Sequence, residues 1–516
     1  MGAGRIVMRM LKQAGMSRDV LDRARRSRDA RFDGKFFIAV TSTRIYCRSI
    51  CPAKISKDAN VRYYATAAEA AAAGFRPCLR CRPEAAPGSP AWLGTSAVVR
   101  RALRLIQEGA LDQGSVEELA SRLGVGARHL CRLFTRHVGV APMAVAQTQR
   151  LHFAKQLLDE TSLPITEVAL ASGFGSVRRF NDVFKRIYRR SPREMRKAGV
   201  RRGADAQIGL RLTYRPPYDW ESVNRFLARR ALRGVECVES GCYSRTVRTA
   251  TGHALIRIKP AADADALELS IQGCEAPDLL PLSSAARRMF DLSADPARIT
   301  TVLQADPLLR ALVVRRPGLR IPGTWDLFES GVRAIVGQAI TVEAGRTIVG
   351  RLVECAGRRI AADGQGLTHL FPTPEALIEA DLQAVGLPRT RAEALRAFAR
   401  AVQQGAIDPH SSSEHLIEVL GALPGVGAWT AGYIVLRGLG EPDGFPSGDL
   451  ILKRQAGCAG VPLTARELDA RAEQWRPFRG YAVLHLWEAA ALEERRKRPP
   501  ATFEVRRQPV LPAPRD

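Results

Sequence analysis

Residues 422–438 read ALPGVGAWTAGYIVLRG, and residues 445–454 follow with FPSGDLILKR. Pro424 with Gly425 and Gly427 spells a tight turn. The apolar residues after it return at three- and four-residue spacing, the period of a helix. Lacking side chains, the two glycines let the backbone bend sharply and bring Val426 and its neighbours' amides up to an anion such as a DNA phosphate. Alone, such a turn indicates DNA contact and no chemistry. Twenty residues beyond Trp429 stands Asp449, after Ser447 and Gly448. In isolation that arrangement is a helix cap.

The bulk of the chain points the same way. Its 516 residues exceed what one core serves, so three or four domains are expected. The apolar fraction of 46% is that of globular protein. Against 52 Asp and Glu stand 78 Lys and Arg, a formal charge of +26. Arginine-rich runs such as RARRSRDAR and EERRKRP spread this excess, which suits a polyanion, double-stranded DNA first. The N-terminus lacks a secretory pattern, and no run approaches the roughly 18 apolar residues of a membrane span. The expectation is a soluble, cytoplasmic monomer, starting at Met1 or Met16. In that compartment short-spaced cysteines bind metal more often than they form disulfides.

Pro/Gly-containing breaks at 85–94, 196–207 and 315–326 divide the chain. Helical periodicity fills 95–200, alternation in LRLTY, HALIRIKP and ALELSIQG predicts strands over 208–275, and helices resume from 280.

Four of the 10 cysteines form two short pairs, Cys47 with Cys51 and Cys78 with Cys81. Two such pairs present four thiolates to one tetrahedral zinc ion. By spacing alone that site is structural. The segment from Phe36 to Glu84, with IYCRSIC, FRPCLRC and the Ala-rich stretch in register, resembles the N-terminal domain of the Ada family. That resemblance implies that the first cysteine, Cys47, takes a methyl group from a DNA methylphosphotriester while holding one Zn2+ with the other three. Thr43, Arg48 and Arg76 flank the cluster and are candidates for the phosphate backbone.

GSVEELASRLGVGARHLCRLFTRHVG opens on Ser115 and Glu118, a capping box. Gly124 turns the chain, and a second helix presents Arg128, His129 and Arg132 outward, where a recognition helix would read the major groove. The layout repeats in ITEVALASGFGSVRRFNDVFKRIYRRSP, with Gly173 at the turn and Arg178, Arg179 and Lys185 outward. For each of these side chains phosphate contact competes with base reading. The pair of units resembles the AraC-family DNA-binding domain, which implies a promoter and RNA polymerase as partners.

Residues 207–500 resemble the AlkA type of helix-hairpin-helix DNA glycosylase, with LPGVG as the hairpin. The resemblance makes Asp449 the carboxylate that stabilises the cationic sugar as the base leaves. Bifunctional members carry a lysine nucleophile where this chain has Trp429, so base excision without strand cleavage is expected. Trp429, Tyr433 and Trp487 match the family's base pocket, where aromatic faces suit electron-poor alkylated purines such as 3-methyladenine. The rival reading, that these aromatics are core, is strongest for Tyr433. After Gly337 and Gln338 the family places a bulky wedge; here Ala339 stands there, followed by Ile340. No PCHR-type acceptor for O6-alkylguanine occurs.

The fold expected is therefore multidomain and mainly α. It comprises a zinc α+β domain at 17–86, a paired helix-turn-helix domain at 95–200, an α+β glycosylase subdomain at 207–280 and an all-α helix-hairpin-helix domain at 281–500. Two other readings stand beside it: a non-enzymatic regulator with structural zinc, and a constitutive glycosylase with a DNA-binding tether.

Overall fold

The structure, a computed structural model, describes residues 16–87, 97–196, 207–361, 366–457 and 461–497. Most of the expected linkers at 85–94 and 196–207, and the start at Met1, lie outside the described residues.

The first unit is a small sheet of order β3-β1-β2-β4, with β1 at Phe37–Val40, β2 at Ile45–Cys47, β3 at Val61–Tyr64 and β4 at Arg76–Pro77. Helix Arg18–Ser27, capped by Ser17, covers it, and Met16 is buried in the same core. Strand β2 runs antiparallel to β1 and parallel to β4, pairing Tyr46 with Pro77. That pairing sets Cys47 beside Cys78.

The second unit is all helix. The capping box at Ser115 and Glu118 starts helix Val116–Arg122, and helices Ala127–His137 and Val177–Tyr188 are the two expected as recognition helices. Helix Pro142–Glu160 joins the halves and is buried on several sides, as befits a shared spine. Gly173 turns at φ +75, and a Cβ there would lie 2.3 Å from the Asp112 carboxyl carbon, so only glycine fits.

Five antiparallel strands follow in the order β5-β9-β8-β7-β6: β5 Gln207–Thr213, β6 Glu236–Glu239, β7 Cys242–Arg248, β8 His253–Pro260 and β9 Ala266–Gln272. The three alternating stretches predicted as strands form β5, β8 and β9. The inner face of this sheet, helix Leu279–Met289 and the second helix-turn-helix share one apolar cluster, from Leu157, Phe180 and Phe184 to Ile256, Leu269 and Phe290. The break read at 196–207 therefore joins two units that pack together.

The zinc unit is docked on the sheet unit as well. Fully buried Arg215 donates to the carbonyls of Asp33 at 2.9 Å and Ser293 at 3.0 Å, and Lys35 pairs with Asp295 at 2.7 Å.

The last unit is helical, built on Leu327–Val336, Arg389–Gln403, Ser413–Gly421, Ala428–Gly438 and Arg479–Lys497. Helix Leu327–Val336 lies close on Ala428–Gly438, where a Cβ on Gly438 would meet Leu327 at 2.7 Å. The expected boundary at 315–326 is the segment that leads into this central helix. Among the described residues, no helix is long and apolar enough to cross a membrane.

Candidate functional site

At the end of β2, the sulfurs of Cys47, Cys51, Cys78 and Cys81 all lie within 4.8 Å of one another. Tetrahedral thiolates at about 2.3 Å from one zinc ion stand roughly 3.8 Å apart, and the Cys51 and Cys78 sulfurs are 4.0 Å apart. The four cysteines fit one Zn2+. Cys78 and Cys81 are buried, whereas Cys47 and Cys51 are half-exposed. Without an ion, four adjacent thiols cannot all ionise. The hydrogen bond between Cys51 and Cys47 holds the Cys47 thiol up and pulls Cys51 down to about 7.

Arg48 corrects an expectation. Read as a phosphate contact, it is instead only 7% exposed and ion-paired with Asp33. Its Nε donates to Asp33 Oδ1 at 2.8 Å, its Nη1 to the Cys81 carbonyl at 3.1 Å, and its backbone N–H to Cys81 Sγ at 3.3 Å. It braces the cluster from inside. Thr43 is exposed in the β1–β2 turn and Arg76 is half-buried on β4, so both remain at the surface. Arg128, His129, Arg132, Arg178, Arg179 and Lys185 are all exposed on their two recognition helices.

The second site forms around helix Ala428–Gly438. Trp429 and Tyr433 sit one turn apart on a single face, their rings stacked at 5.3 Å and 22°. Trp487, from helix Arg479–Lys497, approaches Tyr433 at 6.0 Å. All three are half-exposed, unlike the fully buried Val435 and Leu436 of the same helix, so their rings reach the surface. Asp449 gives one oxygen to a helix cap and the other to the aromatic stack. Its Oδ1 accepts the Leu452 N–H at 2.9 Å, capping helix Leu450–Gln455, and its Oδ2 accepts the Trp429 indole N–H at 2.9 Å. Among the described residues no cation pairs with it within 4.0 Å, which leaves its charge available to a positive substrate.

Sequence reasoning missed the residues that hold Tyr433. Arg437 Nη1 donates to the Tyr433 hydroxyl at 2.8 Å, and the Arg437 and Arg230 guanidiniums lie over the Phe226 ring at 4.5 and 3.7 Å. Burial pushes the Tyr433 phenol up, but Arg437 and Arg230 outweigh it and hold the phenol below its usual value. Arg230 comes from the sheet unit, so no motif in the helical unit pointed to it.

The hairpin and the loop after Gly337 form one surface. Gly425 turns at φ +74 and is exposed with Gly427, while Val426 is buried beneath them. Gln338 Nε2 donates to the Gly425 carbonyl at 2.9 Å and to Thr430 Oγ1 at 2.8 Å, and Arg391 donates to the Gln338 carbonyl at 2.9 Å. Ala339 stands exposed at φ +56, whereas Ile340 packs back toward Gly345, where a Cβ would meet its Cδ1 at 3.8 Å.

Replacing Trp429 with phenylalanine keeps the stack but removes one donor to a carboxylate. The expected loss is roughly 10–100-fold in single-turnover excision, the worth of a charge-assisted bond. Unchanged excision would show that the indole N–H does not orient Asp449.

Comparison with known proteins fits these units. The family "Metal binding domain of Ada" matches residues 21–84, "Helix-turn-helix domain" matches 119–198 and "AlkA N-terminal domain" matches 209–326. A relative from Mycobacterium tuberculosis, "Probable bifunctional transcriptional activator/DNA repair enzyme AlkA", is 41% identical over 472 residues, 90% of this chain and 95% of that one. The Escherichia coli "DNA-3-methyladenine glycosylase 2" is 34% identical, over 54% of this chain and 95% of its own. The Escherichia coli "Bifunctional transcriptional activator/DNA repair enzyme Ada" is 36% identical over 29% of this chain and 40% of its own. With a four-cysteine cluster, a paired helix-turn-helix unit and an aromatic cluster on one polypeptide, the chain belongs to the family of bifunctional transcriptional activator/DNA repair enzymes that join an Ada-type zinc domain to an AlkA-type glycosylase.

Proposed function

We propose that the chain senses alkylated DNA at Cys47, activates transcription through its paired helix-turn-helix domain, and excises alkylated bases at Asp449 without cutting the strand. The observation that carries the repair half is the unpaired Asp449 carboxylate hydrogen-bonded to Trp429 of the aromatic stack. The stack would hold an electron-poor purine such as 3-methyladenine face-on. The Asp449 charge then stabilises the cationic sugar that develops as the glycosidic bond breaks. Trp429 offers no amine to trap that sugar, so water completes the reaction and an abasic site remains.

In the sensor half, the Cys47 sulfur attacks the methyl carbon of a methylphosphotriester. An S–C bond forms, the C–O bond breaks, and its electron pair leaves on the phosphate oxygen, which regains its negative charge. A zinc ion bound by the four sulfurs keeps them deprotonated, at a net charge near −2. Alkylation turns the Cys47 thiolate into a thioether and removes one of those charges, so repulsion from DNA falls and affinity rises. No later step restores the thiolate, and the transfer is stoichiometric. Thr43 and Arg76 beside the cluster, and the exposed basic residues of both recognition helices, would carry the DNA contacts. The reading is completed by a monomer that recruits RNA polymerase at the promoter.

The test is to incubate the protein with DNA containing 3-methyladenine and to follow base and strand separately. Free 3-methyladenine over an intact strand that breaks only in alkali is expected. Strand cleavage without alkali would overturn the monofunctional reading. Tight DNA binding with no base release would leave a non-enzymatic regulator.

Ala339 is proposed as the residue nearest the gap that a flipped base leaves. Ala339→Leu is expected to raise excision from duplex DNA several-fold, since a larger side chain fills that gap, while leaving excision from single strands unchanged. An equal change on both substrates would remove Ala339 from the flipping step.

A further inference from the structure

A short loop joins helix Leu327–Val336 to helix Val342–Ala356. Its two ends are fixed by the helices. The Gly337 N–H donates to the Arg333 carbonyl at 3.0 Å, and Thr341 Oγ1 caps the second helix by accepting the Ala344 N–H at 3.2 Å. Its middle has no such support. Among the described residues, the N–H groups of Gln338, Ala339 and Ile340 make no backbone–backbone hydrogen bond. Yet Ala339 holds φ +56, a left-handed turn that a β-carbon disfavours. The conformation persists only because side chains impose it.

Gln338 is where those side-chain bonds converge. Both hydrogens of its amide are committed, one to the Gly425 carbonyl at 2.9 Å and one to Thr430 Oγ1 at 2.8 Å. A carbonyl only accepts, so it is the NH2 end of the amide that faces the hairpin. From the other side, Arg391 Nη2 donates to the Gln338 backbone carbonyl at 2.9 Å. The hairpin, the helix that carries Trp429 and helix Arg389–Gln403 thus meet at one residue. Within the hairpin, the peptide that receives Gln338 is fixed at its far end as well, since the Val426 N–H donates to the Leu423 carbonyl at 3.2 Å. Exposed Gly425 and Gly427 keep their own N–H groups out of backbone–backbone bonds among the described residues, free to meet a phosphate.

We propose that Gln338 is the positioning residue for base extrusion. It ties the hairpin that grips the strand to the loop that presents Ala339, and it holds Ala339 in its left-handed turn. The grip on the phosphates and the residue at the gap therefore keep one register. Thr430, which follows Trp429 directly, brings the aromatic stack into the same frame. The proposal rests on the glycosylase reading above; Gln338 acts through Ala339 and needs no contact with base or sugar.

The test compares wild type, Gln338→Met, Ala339→Gly and the double variant as full-length, zinc-loaded protein. Methionine keeps the length of glutamine and removes its donors. Single-turnover release of 3-methyladenine is followed from two duplexes. In one the base is paired with thymine; in the other it lies opposite an abasic position, where no pair has to be broken. Gln338→Met is expected to slow release from the paired duplex about tenfold, the worth of two neutral hydrogen bonds. From the unpaired duplex the loss should be about threefold at most, because extrusion is easier there. A residue that only supports the fold would slow both alike, and equal losses would overturn the proposal. Glycine takes a left-handed turn without strain, so in the Ala339→Gly background the same substitution should cost about threefold at most on the paired duplex. An undiminished loss in that background would also overturn the proposal. Arg391→Met, which frees the Gln338 carbonyl at a half-exposed position, should show the same bias toward the paired duplex and serves if Gln338→Met does not fold. Equal losses in Arg391→Met would count against Gln338 in the same way.

A binding arm separates the proposal from the activity it rests on. Affinity is read from 2-aminopurine placed beside a stable abasic site, a signal that complexes at the helix-turn-helix domain do not give. Gln338→Met should weaken this complex about tenfold, whether or not wild type releases the base. Weakening without any wild-type release would overturn the glycosylase reading and support Gln338 as the strut of the loop. Unchanged affinity would overturn the proposal.

Discussion

Asp449→Asn is expected to slow release of an alkylated base by roughly 10²–10³-fold, the usual worth of one preorganised electrostatic group at a developing charge. The geometry says what the substitution keeps and what it removes. Asparagine keeps an oxygen to accept the Leu452 N–H, so the cap of helix Leu450–Gln455 survives with a loss of a few tenths of a kcal/mol. The negative charge disappears, and with it the acceptor for the Trp429 indole N–H, which then faces the asparagine NH2. The substitution should therefore leave the melting temperature and the affinity for abasic DNA nearly unchanged while the chemical step collapses. A variant that excises at the wild-type rate would show that Asp449 is only a cap. One that loses stability and DNA binding along with excision would place Asp449 in the architecture and leave the catalytic residue unassigned.

Cys47→Ser should reduce methyl uptake from one group per chain to none and abolish induction of a reporter by alkylating agents, without changing base excision. Serine cannot stay ionised at neutral pH, so the nucleophile is lost even where three sulfurs retain the metal. Zinc content measured alongside separates loss of reactivity from loss of the fold. Charge supplies a second check. If methylation acts by removing one negative charge near phosphates, the affinity gap between methylated and unmethylated protein should narrow as salt rises. A gap independent of salt would point to a conformational cause. Transfer that persists in Cys47→Ser would direct attention to Cys51, the other half-exposed cysteine of the cluster.

The parts of this molecule that sequence disclosed are those governed by local rules. Two short cysteine pairs, a Ser115–Glu118 capping box and a Gly-rich turn each announce themselves within a few residues. What stayed hidden depends on long-range pairing. Arg48 is a surface arginine by composition; only the fold of β1 and β2 against Asp33 reveals that it is buried and committed. Asp449 read as either a cap or a catalyst, because sequence cannot show that its two oxygens face different donors. Arg230 reaches Tyr433, and Phe226 reaches Arg437, from another domain, across a separation no motif spans. The breaks in composition suggested independent units, whereas Arg215, Lys35 and the apolar cluster around Phe180 and Ile256 join them.

The measurement that tests the central claim most directly is a peptide mass map of the zinc-loaded protein after exposure to DNA bearing methylphosphotriesters. The account predicts one added methyl group, confined to the peptide that contains Cys47. No methyl on any cysteine, with zinc bound and DNA engaged, would contradict it, and so would a methyl confined to a cysteine other than Cys47.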